Sequence, residues 1–89
     1  MKTEKMLVLS TAHISEATKD VLDGEGINGV VHYDKEGYGW WIYVSPGYKE
    51  VEMPADIMLL MITAEKNDCK WIMLDCDGPI ESNLPKFDW

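Results

Sequence analysis

No arginine occurs in the 89-residue chain: all eight bases are lysine, set against sixteen acids, for a net charge of −8. Arginine supplies the bidentate contact that reads phosphate and guanine, so direct binding to DNA or RNA is disfavoured. Cysteine is scarce too, with only Cys69 and Cys76. They flank Lys70 to Asp75, where Trp71, Ile72, Met73 and Leu74 read as a buried strand, and roughly seven residues of extended chain span roughly 23 Å. A disulfide needs Cα atoms about 4.4 to 6.8 Å apart. The strand therefore excludes an intrachain bridge, and reduced thiols in a cytoplasmic protein are expected. No apolar run approaches the roughly 18 residues of a membrane span. Met-Lys-Thr-Glu-Lys leads only into the short run Met6 to Leu9, without the longer apolar region and cleavage site of a signal peptide. Neither secretion by that route nor a membrane partner is expected. Phosphate-cradling glycine loops and dinucleotide fingerprints are missing as well.

What is present is a chain with 46% hydrophobic residues, too apolar for disorder. Its length fits one domain, residues 1–89, with one modest core.

Met6 to Ser10 is apolar and reads as a strand. Ser15 caps a helix with Glu16 in its first turn and Ile14, Ala17, Thr18, Val21 and Leu22 facing inward. Gly24 and Gly26 end it, and Asn28-Gly29 turns into a strand at Val30 to Tyr33. Asp34 to Gly39 has the composition of a hairpin loop before the strand Trp40 to Val44. Ser45-Pro46-Gly47 stops that strand. A second helix runs from Pro54 to about Asn67, then comes the strand Trp71 to Asp75, and residues 78–89 read as an irregular tail packed on the domain. The order β-α-β-β-α-β predicts an α+β, ferredoxin-like fold. Strand 1 is then expected beside strands 3 and 4 in the middle of a four-stranded antiparallel sheet, with both helices on one face. The competing arrangement is an α+β sheet of the same elements in a different strand order.

The apolar content exceeds what two layers absorb. Ile57 to Ile62 is apolar all round, wider than an ordinary surface helix buries. Trp40, Ile42 and Val44 point one way and Trp41 and Tyr43 the other, while Trp71 and Met73 oppose Ile72 and Leu74. Such a sheet is covered twice or presents one adhesive face. Leu84, Phe87 and Trp89 of the tail are expected to cover part of the surplus, and another molecule the rest.

Catalytic patterns are weak. Trp71 to Gly78 looks like the Asp-x-Asp-Gly opening of haloacid-dehalogenase-type phosphatases, but only eleven residues follow Gly78, and an Asp/Gly turn after a strand explains it better. The spacing of Asp75, Asp77 and Glu81 does not match a calcium loop. His13, His32, Asp34 and Cys69 are expected toward one end of the sheet, with the right ligand types for Zn²⁺ but no compact spacing pair. Ser10, Thr11 and His13 lack the glycine-flanked elbow of a nucleophile. No catalytic residue, metal or cofactor is therefore expected. The aromatic run Gly39 to Val44 is similar to a base-stacking strand, and the charge argues against that use.

Leu7-Val8-Leu9-Ser10-Thr11-Ala12-His13-Ile14, Met53-Pro54-Ala55-Asp56, and Leu74-Asp75-Cys76-Asp77-Gly78-Pro79 with Leu84-Pro85 and Asp88-Trp89 resemble an uncharacterised family of small acidic bacterial proteins. Its members are often encoded on plasmids, integrative elements and phages. The resemblance covers nearly the full length, and it implies a setting, not a reaction. Small acidic proteins of mobile elements commonly bind a host or defence protein.

The expectation is thus a non-catalytic protein-binding module, an inhibitor of a basic nucleic-acid-handling protein. The alternatives are a self-assembling homodimeric accessory protein and, less favoured, a small metal-binding enzyme. The expected contact surface is Trp41, Tyr43, Trp71 and Met73, or the outer flank of Leu59 and Ile62. Glu50, Glu52, Asp56, Asp75 and Asp77 are expected to form an acidic rim suited to a basic partner.

Overall fold

Alternation of apolar residues and the cap signals place six elements along the chain, and a computed structural model describes all of residues 1–89. They are β1 (Met6–Ser10), α1 (Glu16–Asp23), β2 (His32–Asp34), β3 (Gly39–Tyr43), α2 (Ala55–Lys66) and β4 (Trp71–Asp75), with 3₁₀ turns at Thr11–His13 and Tyr48–Glu50. The Ser15 hydroxyl accepts the Thr18 N–H at the start of α1, and the Gly24 N–H closes its end on the Asp20 and Val21 carbonyls. No helix is long and apolar enough to cross a membrane.

The fold is α+β with four strands, in the order β1-β4-β3-β2. β1 lies at the edge, parallel to β4, while β3 runs antiparallel to both β4 and β2. The sheet is mixed, so the expected antiparallel, ferredoxin-like order with strand 1 in the middle is not the one formed. The cause lies in the connection 44–54. Val44 N–H bonds the Lys70 carbonyl, so the chain leaves β3 beside the point where it later enters β4. The connection then carries it to the opposite end, where Asp56 meets Ser15. From there α2 runs back and β4 enters antiparallel to β3. The right-handed crossover rule applies to parallel strands joined through a helix, and this return removes its premise.

Tyr48 anchors the return. It is buried, and its hydroxyl donates to Glu65 of α2 at 2.9 Å. Burial and the neighbouring carboxylate raise its pKa above the ordinary 10.0. One continuous core joins Leu9, Trp40, Ile42, Ile72 and Leu74 of the sheet to Ile57, Leu60, Met61 and Ala64 of α2 and Leu22 of α1. Met58 and Ile62 are half-buried against it, leaving Leu59 as the exposed residue of the apolar run.

The tail closes one end. Leu84 is buried in the core. Phe87 N–H donates to the Ala12 carbonyl at 2.8 Å, and the Trp89 indole N–H to the Ile14 carbonyl at 2.7 Å. Buried His13 is held between tail residues: its Nε2 accepts the Glu81 N–H at 2.9 Å, so its Nδ1 carries the hydrogen donated to the Pro85 carbonyl at 2.8 Å. Phe87 and Trp89 stay partly exposed, and the tail lies on the segment after β1.

Two outcomes test this architecture. Gly37 and Gly39 both have positive φ, but a Cβ on Gly37 meets nothing, whereas one on Gly39 would fall 1.7 Å from the Leu74 carbonyl oxygen. Gly37→Ala should cost about 1 to 2 kcal/mol, and Gly39→Ala at least about 4 kcal/mol, read from urea unfolding. Deleting Leu84 to Trp89 removes a buried leucine and several tail hydrogen bonds, about 3 to 5 kcal/mol. The melting temperature should fall by at least about 10 °C, and an unchanged value would show the tail undocked.

Candidate functional site

Both helices pack on one side of the sheet, and strand alternation sends every second side chain to the other. That second face is uncovered. Its middle row reads Val8, Met73, Trp41, Tyr33 across the four strands, and the next row Met6, Trp71, Tyr43. Trp71 packs between two tyrosines, with ring centroids 5.1 Å from Tyr43 and 6.3 Å from Tyr33. Met6, Tyr33, Trp41 and Trp71 line a shallow, wholly apolar hollow. Met6, Val8 and Tyr33 are exposed at 40%, 38% and 56%, more than a covered sheet face would allow.

Polar groups hold one end of this face. Lys35 Nζ donates to Asp75 Oδ2 at 2.8 Å and sits 5.6 Å above the Trp41 ring and 6.0 Å from that of Tyr38. The hydrogen bond from Lys35, followed by that from the Asp77 N–H, holds the Asp75 carboxyl below its ordinary 3.8. The Asp75 hydrogen bond likewise raises Lys35 above 10.5. The pair leaves the face without net charge.

Trp41, Tyr43, Trp71 and Met73 are thus brought together, with Asp75 at their margin and Asp77 exposed just beyond it. The other acids stand elsewhere. Glu50 lies in the turn whose Tyr48 docks on α2, and Glu52 beside the Asn28-Gly29 turn. Asp56 accepts hydrogen bonds from the Ser15 N–H and the Thr18 hydroxyl, joining the two helix starts. The five acids do not form one rim, because three belong to the helix layer and its connections. Val8, Met6, Tyr33 and Lys35 were not among the expected contact residues. The alternation of Met6 and Val8 against Leu7 and Leu9 carries the signal that would have found the first two.

The other candidate chemistries are taken up by local structure. β1, β2 and β4 run the same way, so His13, past the end of β1, lies at the opposite end from His32 and Cys69, which start β2 and precede β4. The expected histidine cluster does not assemble. Ser10 Oγ accepts the Ala12 N–H, while both His13 nitrogens bond the tail. Asp75, Cys76 and Asp77 bring their ligand atoms within 4.8 Å of one another, but Asp75 gives one oxygen to Lys35 and the other to the Asp77 N–H. Gly78 is required there because a Cβ would lie 2.5 Å from the Leu9 carbonyl oxygen. The Asp-x-Asp-Gly pattern is a turn. Cys69 and Cys76 are both free, the first buried and the second exposed.

Residues 6–89 match the model of a family of unknown function, the DUF5983 C-terminal domain, and the chain belongs to that family. No curated protein and no solved structure matches it.

The ion pair sets a pH dependence. Asp75 is depressed, so its contribution is present above 3.8 and lost as pH falls through its lower folded value; Lys35 is raised, so its contribution is present below 10.5 and lost above its folded value. Asp75→Asn should therefore melt below the parent at neutral pH, with the gap closing in strong acid. Melting curves at several pH values check this.

Proposed function

We propose that this protein is a non-catalytic binding module of a mobile genetic element, which occupies a basic, nucleic-acid-handling protein of a host or defence system through its open sheet face. The observation that carries the reading is the uncovered set Trp41, Tyr43, Trp71 and Met73. Aromatic and methionine side chains are the types enriched in interface cores. The net charge of −8 supports a basic partner, because it steers cationic molecules inward without requiring acids on the face itself. Two unpaired thiols support a reducing, cytoplasmic setting.

Trp41→Ala removes the central ring of the face without adding charge. It should lower melting, because a half-buried ring is lost, but leave the protein folded while abolishing retention of a partner from bacterial extract, and parent binding should weaken as salt rises. Sedimentation at two salt concentrations separates capture of another protein from self-association. A monomer that retains nothing at low salt would defeat the reading.

A further inference from the structure

Each lysine stationed over an aromatic ring lies outside the Tyr33, Tyr43 and Trp71 cluster: Lys19 is over Trp89, Lys35 over Tyr38 and Trp41, and Lys49 over Tyr48. Lys5 lies next to Met6 in the chain, yet its ammonium is bonded to the Asn67 carbonyl at 3.0 Å. The part of the open face around Trp71 thus presents three packed rings with no cation of the protein's own stationed over them. We propose that the hollow between Met6, Tyr33, Trp41 and Trp71 receives, at its Trp71 end away from Lys35, an arginine or lysine side chain from an extended basic segment of a partner protein. This rests on the binding-module reading and names the chemistry of its partner.

Two observations select that occupant over a second copy of the chain. Three strands of five residues and one of three give a face of roughly 300 Å² in plan, the size of a functional patch. A stable interface between folded proteins needs roughly 800 Å² per partner, so the face suits a segment. The second is charge: two copies at −8 each repel, whereas a cationic segment is attracted by the same field. The ring faces, negative by their quadrupole, then hold the cation at close range, and Met6 packs on its aliphatic stem.

The probe is the peptide acetyl-Gly-Arg-Gly-Arg-Gly-amide, with its citrulline counterpart as the neutral isostere, followed through the four tryptophan indole N–H resonances of the intact protein. The arginine peptide should shift the Trp41 and Trp71 signals and leave Trp40 and Trp89 in place. Trp71→Leu and, separately, Tyr33→Ala should weaken binding roughly five- to thirty-fold. Tyr33 is well exposed, so its variant keeps the test valid if Trp71→Leu folds poorly. Equal binding of the citrulline peptide would overturn the proposal. So would an equal loss in Glu50→Gln/Glu52→Gln, which would reduce the effect to overall charge. Shifts of Trp41 and Trp71 that follow protein concentration without peptide would place a second copy there and overturn it too. If Trp41→Ala abolishes partner capture while the arginine peptide does not bind, the cation receptor fails and the module stands.

Discussion

The carboxylate of Asp56 ties the amino-terminal ends of the two helices together, and the one-sided shape of the protein depends on that tie. It stands in the first turn of α2 and accepts the Ser15 N–H and the Thr18 hydroxyl from the start of α1. A carboxylate beside two helix starts is favoured by both dipoles. With the helices joined in one layer, Leu9, Trp40, Ile42, Ile72 and Leu74 are sealed beneath them. The opposite face has no further element to cover it: the tail is fastened at one end through His13 and Leu84, and the connection 44–54 is fastened to α2 through Tyr48.

Which features were legible in the sequence follows from the range of the physics behind them. Strand alternation is local, so the opposition of Trp41 and Tyr43 to Trp40 and Ile42 could be read directly, and with it the aromatic face. Helix starts and stops at Ser15, Gly24 and Pro54 were legible for the same reason. Strand order was not, because it depends on the path of the connection 44–54, whose Ser45-Pro46-Gly47 signal marks a stop without revealing the return that follows. The acidic rim failed on a related ground. Composition counts charges, but it does not show that Asp56 is committed to two helix starts and Asp75 to Lys35 and a turn.

The tail divides along the same line. Leu84 is an isolated apolar residue near Pro85, and its burial was readable from the cost of leaving it in water. The partners of His13 lie 68 and 72 residues away, and no local pattern announces them. They decide that this histidine is a structural cross-brace, holding its imidazole in one tautomer between two backbone groups. Trp40 has the one buried side-chain nitrogen that lacks a partner, a penalty of about 1 to 3 kcal/mol set against an indole that fills the core.

A domain this small can leave an aromatic face uncovered because its two faces are energetically distinct. The covered face contains the fully buried Ile42, Ile72 and Leu74, whose removal from water drives folding. The open face keeps Trp41, Tyr43, Trp71 and Met73 half-buried against one another, so part of their burial is already realised without a partner. A partner therefore gains only the remaining exposed area, which favours a small contact with a specific chemical anchor over a broad apolar one. The Lys35–Asp75 pair strengthens that selectivity. It neutralises the one carboxylate on the face and stations a cation beside Trp41, so an incoming cation meets like charge at that end and free ring faces only around Trp71.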